Sequence, residues 1–128
     1  LLEVERQGDE VVIRIASPGS FNSGSAIVAQ SFTATLDQVG ETINQESGNV
    51  RIEGHTDNIP VAFSDTFNSN WDLSAARAAS VAAYLTNSSE VLEERIEVLG
   101  FADTLPLASN DSADGRSRNR RIEIRIAN

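Results

Sequence analysis

The chain holds 128 residues, 40% of them hydrophobic and 23% charged, with a formal charge of −9 and no cysteine. That length suits one domain with a single core over residues 1–128, with 1–9 a linker or an extra N-terminal segment. The negative balance argues against nucleic acid, which needs a basic surface, and the lack of cysteine excludes disulfide scaffolds and thiolate metal sites.

Residues 10–16 alternate well enough for a strand with one buried face, closed by Ser17-Pro18-Gly19-Ser20. Residues 26–46 read as a helix, with Ile27, Phe32, Leu36, Val39 and Ile43 near 3.6 spacing and Gly48 as its C-terminal stop. A strand over 50–54 leads into a loop over 55–69, where Ile59-Pro60 forbids a continuous helix. Residues 71–87 form a second helix, capped by Asn70 or Ser69. Residues 95–100 give a third strand, a polar loop runs through Gly115, and 120–126 alternate charged and apolar residues as a last strand. The order is βαβαββ. It predicts an α/β (α+β) two-layer sandwich: a mixed, mostly parallel sheet with helices on one face, the first three strands parallel and the last antiparallel. No apolar run approaches the ~20 residues of a membrane helix. With Leu1 rather than Met at position 1 and no signal peptide, the chain is expected to be part of a longer protein.

The chemistry gathers in two places. Asp57 lies just beyond a strand, in Gly54-His55-Thr56-Asp57, where ligands commonly bind in α/β sheets. Arg77 lies in the helical row Leu73, Arg77, Val81, Leu85, so it must either pack against a carboxylate or serve a ligand. Opposed across one groove, a carboxylate and a guanidinium suit a zwitterion: Asp57 for an ammonium, Arg77 for a carboxylate. Asn70 reads first as a helix cap and second as a groove amide. Trp71, the only tryptophan, reads as a lid on the core. His55, the only histidine, has no partners at zinc spacing, so a hydrogen-bonded structural role is expected and no metal or cofactor is called for. No Cys–His pair and no Gly-x-Ser-x-Gly is present, which leaves nucleophilic hydrolysis without support. Arg116, Arg118, Arg120 and Arg121 read as solvated flanks of an edge strand, with Asn119, Arg120 and Arg121 supporting the site.

Three blocks carry a family resemblance: Gly54-His55-Thr56-Asp57, Asn70-Trp71-Asp72-Leu73-Ser74-Ala75-Ala76-Arg77-Ala78, and Asn119-Arg120-Arg121-Ile122-Glu123-Ile124. Together they resemble the OmpA-like peptidoglycan-binding domain. Phe21-Asn22-Ser23-Gly24-Ser25-Ala26 and Asp57-Asn58-Ile59-Pro60 resemble its flagellar stator B subunit branch, the MotB/PomB type. The resemblance implies a non-enzymatic, periplasmic part of an inner-membrane protein that binds peptidoglycan through stem-peptide diaminopimelate. Asp57 would take the amino group and Arg77 the carboxylate, with Thr56, Asn70 and Leu73 lining the groove. It further implies a homodimer and a stator A subunit as partner. The alternatives are an outer-membrane OmpA- or Pal-like tether and, from another class, a wall-processing enzyme. On this view, truncating Arg77 or Asp57 to alanine abolishes wall binding and leaves the thermal melt almost unchanged.

Overall fold

The computed structural model describes residues 2–61 and 66–127. Its elements are β1 (Leu2–Gln7), β2 (Glu10–Ala16), α1 (Thr33–Gln45), β3 (Val50–His55), α2 (Asn70–Ser88), β4 (Ile96–Gly100), α3 (Ala113–Asn119) and β5 (Arg121–Ala127). The five strands form one sheet in the order β1-β2-β5-β3-β4. β5 is antiparallel to both β2 and β3, and β3 is parallel to β4. β2, β3 and β4 therefore share one direction and β5 opposes them, as the sequence predicts. The order of neighbours differs, because β5 inserts at the centre and leaves β3/β4 as the only parallel pair in the sheet.

Composition explains the central place of β5. Ile122, Ile124 and Ile126 on one face are fully buried beneath the helices, beside Ile13, Ile15, Val50 and Ile52. Leu36, Val39 and Ile43 of α1 and Val81 and Leu85 of α2 complete that core. The opposite face of β5 carries Arg121, Glu123 and Arg125. Glu123 and Glu53 sit opposite each other in the register. Arg121 and Arg125 bond to Glu123, Arg125 also reaches Glu53 at 3.1 Å, and Glu123 is 1% exposed. Arg121, Glu123 and Arg125 thus belong to an internal ion-pair grid, so Arg121 is not on the solvated flank of an edge strand. Burial pushes the Glu123 carboxyl upward, but the hydrogen bond and charge of Arg121, with His55 and Arg14, outweigh it and hold it below its ordinary value.

Other boundaries also move. Residues 2–7, inside the segment expected to be a linker or an addition, pair with Glu10 to Ile15 of β2, and Gly8 takes φ 59° in the connecting turn. The strand is hard to read because it is an edge with no buried residue. Helix α1 begins at Thr33 after a 3-10 turn over Gln30–Phe32, not at residue 26. Ile27 consequently stands 80% exposed, off the apolar stripe. Gly48 lies past the helix in a tight approach: a Cβ there would sit 1.8 Å from the carbonyl oxygen of Ala127. Helix α3 replaces part of the expected polar loop, capped by the Ser112 hydroxyl accepting from the N–H of Gly115.

Candidate functional site

Asp57 follows β3, and Arg77 comes from the second turn of α2. The two elements are set close by Gly54, where any Cβ would fall 2.0 Å from the Ser74 carbonyl oxygen. Both side chains line one cavity of about 640 Å3, together with Thr56, Asn70, Leu73 and Arg120. That volume lies within the usual range for small-ligand sites. The loop over 17–24 supplies a further wall through Ser17, Pro18, Ser23 and Gly24.

The two charged groups do not pair with each other. Asp57 Oδ2 accepts from Arg120 Nη1 at 2.6 Å, and Oδ1 accepts from the N–H of Ile59 at 3.0 Å. Among the described residues neither oxygen has another partner, which leaves each a lone pair for an ammonium. Arg77 Nε donates to the carbonyl of Ser25 at 2.8 Å and Nη2 to that of Asn22 at 3.1 Å. Its guanidinium lies 5.1 Å from the centroid of the Phe21 ring. Among the described residues Nη1 makes no hydrogen bond, which leaves the end-on edge of the guanidinium for a carboxylate. Burial first, then the charge of Arg120, lowers Arg77 to about 10, and Asp57 offsets this in part. At neutral pH the group stays charged.

The remaining expected site residues separate. Thr56 is buried, its hydroxyl donating to the Asp57 carbonyl, and its N–H donates to the carbonyl of Ala102. Asn70 is not the cap: Ser69 is, its hydroxyl accepting from the N–H of Asp72. The amide of Asn70 instead donates to the carbonyls of Ile59 and Asp57, holding the loop after β3. Leu73 is a buried apolar wall. Asn119 accepts from the N–H groups of Leu107 and Ala108 and donates to Ala108 and Asn110, so it orders the loop before α3. Arg120 lies in the cavity itself, while Arg121 is on the far face of the sheet, bound to Glu123 and Leu105. Trp71 is 55% exposed, so it is no lid on the core.

His55 stacks on Phe101 with centroids 5.3 Å apart, and its Nε2 lies 3.0 Å from Glu53 Oε1. A carboxylate only accepts, so Nε2 carries the proton. Glu53, His55 and Glu123 bring metal-ligand atom types within 4.8 Å of one another. Arg121 and Arg125 already neutralise those carboxylates, and a cation placed there would face both guanidiniums. That donor set does not fit a metal.

Ser17 and the 21–25 loop are the site residues that sequence patterning missed. After Phe21 the loop reads as a string of small polar residues, and Arg77 is engaged by the carbonyls of Asn22 and Ser25 and by the Phe21 ring. Only the family-like block Phe21–Ala26 marked it, and that block carries no spacing that points to Arg77.

This is an α+β domain with helices α1 and α2 on one face of an open sheet and a ligand-sized, charge-lined cavity beyond the end of β3. The chain belongs to the OmpA family, whose family model matches residues 20–120. It is 32% identical over 126 residues to motility protein B of Bacillus subtilis, covering 98% of this chain and 48% of that protein. It spans about half the length of the curated relatives it matches, among them an uncharacterised B. subtilis protein, YtxE, at 31% identity. Among solved structures, the cell wall anchor of the type VI secretion system (T6SS) of Pseudomonas aeruginosa superposes with a TM-score of 0.92. It is 38% identical, with 98% of this chain and 87% of that chain covered. The periplasmic domain of Helicobacter pylori MotB shares the fold at a TM-score of 0.90 and 24% identity, covering 99% of this chain and 82% of that one. Among the described residues no helix is long and apolar enough to cross a membrane.

Proposed function

We propose that this chain is a non-catalytic peptidoglycan-binding domain that anchors a membrane-embedded machine to the cell wall from the periplasm. The observation that carries it is one cavity lined by both Asp57 and Arg77, with a guanidinium edge and carboxylate lone pairs that no described residue occupies. A zwitterionic amino-acid head fits that pair: its ammonium at Asp57 and its carboxylate at Arg77. Diaminopimelate in the stem peptide presents such a head. The relatives support the setting, since one is a motility protein and one a cell wall anchor. The machine is a flagellar stator in the first reading, with a second copy of the chain and a stator A subunit as partners. The 38% identity to the T6SS anchor favours a second reading, in which the same grip holds a secretion apparatus.

The test is co-sedimentation with purified sacculi, competed by free meso-diaminopimelate. Wild type pellets with the sacculi and is displaced by the amino acid. Asp57→Asn stays in the supernatant. Undiminished pelleting of Asp57→Asn, or release of a cleaved muropeptide, overturns the proposal.

A further inference from the structure

Among the described residues lining the cavity Asp57 is the single carboxylate, and it faces two guanidiniums, Arg77 and Arg120. In a chain of net charge −9 this is a local excess of positive charge. Arg120 is only partly committed. Among the described residues its side chain makes one hydrogen bond, to Asp57, and it remains 36% exposed. Beside it, the N–H of Ser17 donates to the Arg120 carbonyl at 2.9 Å. Ser17 lines the same cavity, and its hydroxyl is buried with no hydrogen-bond partner among the described residues. A buried hydroxyl without a partner is costly, and a turn of the Ser17 side chain toward the cavity lets a ligand atom supply one.

We propose that Arg120 and Ser17 form a second anion subsite, so that the cavity selects a ligand with two free carboxylates around one ammonium. This rests on the reading that the ligand is a stem-peptide zwitterion. One carboxylate meets the end-on edge of Arg77, the ammonium meets Asp57, and the second carboxylate accepts from Arg120 and from the Ser17 hydroxyl. The arrangement leaves each charge opposed and no buried donor idle. Arg77 is lowered first by burial and then by its cationic neighbour Arg120, in keeping with a site whose positive excess is left for a ligand to balance. A stem tripeptide, L-Ala-γ-D-Glu-meso-diaminopimelate, offers two sources for the second anion: the glutamyl α-carboxylate and the carboxylate at the chain-linked centre of diaminopimelate.

Calorimetric titration with this tripeptide and its three monoamides tests the idea. The proposal expects amidation of one of the two second-anion sources to weaken wild-type binding about tenfold or more. Arg120→Gln should weaken the parent tripeptide to a similar degree and lose its sensitivity to that amide. Arg120→Lys should keep part of the sensitivity, and Ser17→Ala should reduce it a few-fold. The readout is a ratio between ligands, so a general loss through Asp57 cancels. Wild type that binds both second-source amides within twofold of the parent overturns the second subsite, as does Arg120→Gln that retains full sensitivity. Amidation of the zwitterionic centre tests the underlying reading separately: if that amide binds like the parent, or the parent does not bind, that reading falls and the subsite falls with it.

Discussion

Arg77 has two jobs, and replacing it separates them. Its donations to the carbonyls of Ser25 and Asn22 tie the 21–25 loop to α2, and its stack on Phe21 adds to that tie. Hydrogen bonds from a charged group contribute about 1.5–3 kcal/mol each, and a stacked cation about 0.5–2 kcal/mol. Asn22 is exposed and Ser25 half-buried, so both carbonyls can rehydrate, and Arg77→Ala should cost about 2–4 kcal/mol, mostly below that sum. For a domain of this size that is a fall in Tm of roughly 6–20 °C. The expectation from sequence, an almost unchanged melt, is therefore replaced. Arg77→Lys keeps the charge but not the planar fork, so it should retain part of the stability and lose most of the carboxylate recognition. Calorimetric melts alongside sacculus pelleting read both effects. An Arg77→Ala protein that melts like wild type refutes the loop tie. One that melts lower yet still pellets fully refutes the ligand role.

Glu123→Gln should destabilise by about 3–5 kcal/mol, because Arg121 and Arg125 lose a buried partner; urea titration measures it. The Glu123 carboxyl sits below its ordinary value in the folded state, so its contribution is complete above about pH 4.3 and drains as pH falls through the folded value. The Gln variant should accordingly show a flatter loss of stability below pH 4.3; parallel acid profiles would count against this. Glu90 ends α2 at φ 58°, a left-handed position where a side chain is strained. Glu90→Gly is expected to raise stability by about 0.5–1 kcal/mol, and a lower Tm would show that Glu90 makes an offsetting contact. Gly54→Ala places a methyl 2.0 Å from a backbone oxygen, so α2 must shift off β3. Its cost should be about 1–3 kcal/mol with weakened pelleting, and a neutral result would mean that the helix can give way freely.

Much of this protein is set by local pattern. The apolar spacing of 33–45 and 71–87 makes helices, and the alternation in 10–16, 50–54 and 120–126 makes strands, because those periods match the geometry of one buried face. The sequence also placed Asp57 past a strand and Arg77 in a helical row, enough to read a carboxylate and a guanidinium across one groove. What it could not decide is which side of an alternating strand is dry. β5 reads as half-solvated, yet Glu53 and Arg14 on its neighbours bury its charges in ion pairs drawn from three strands. The central place of β5, the tie of Arg77 to the 21–25 carbonyls and the meeting of Arg120 with Asp57 join residues 52 to 72 positions apart. Such contacts leave no trace in local periodicity. They exist only once packing has brought the partners together, and it is packing that makes one arginine a brace on the far face of the sheet and its neighbour a wall of the cavity.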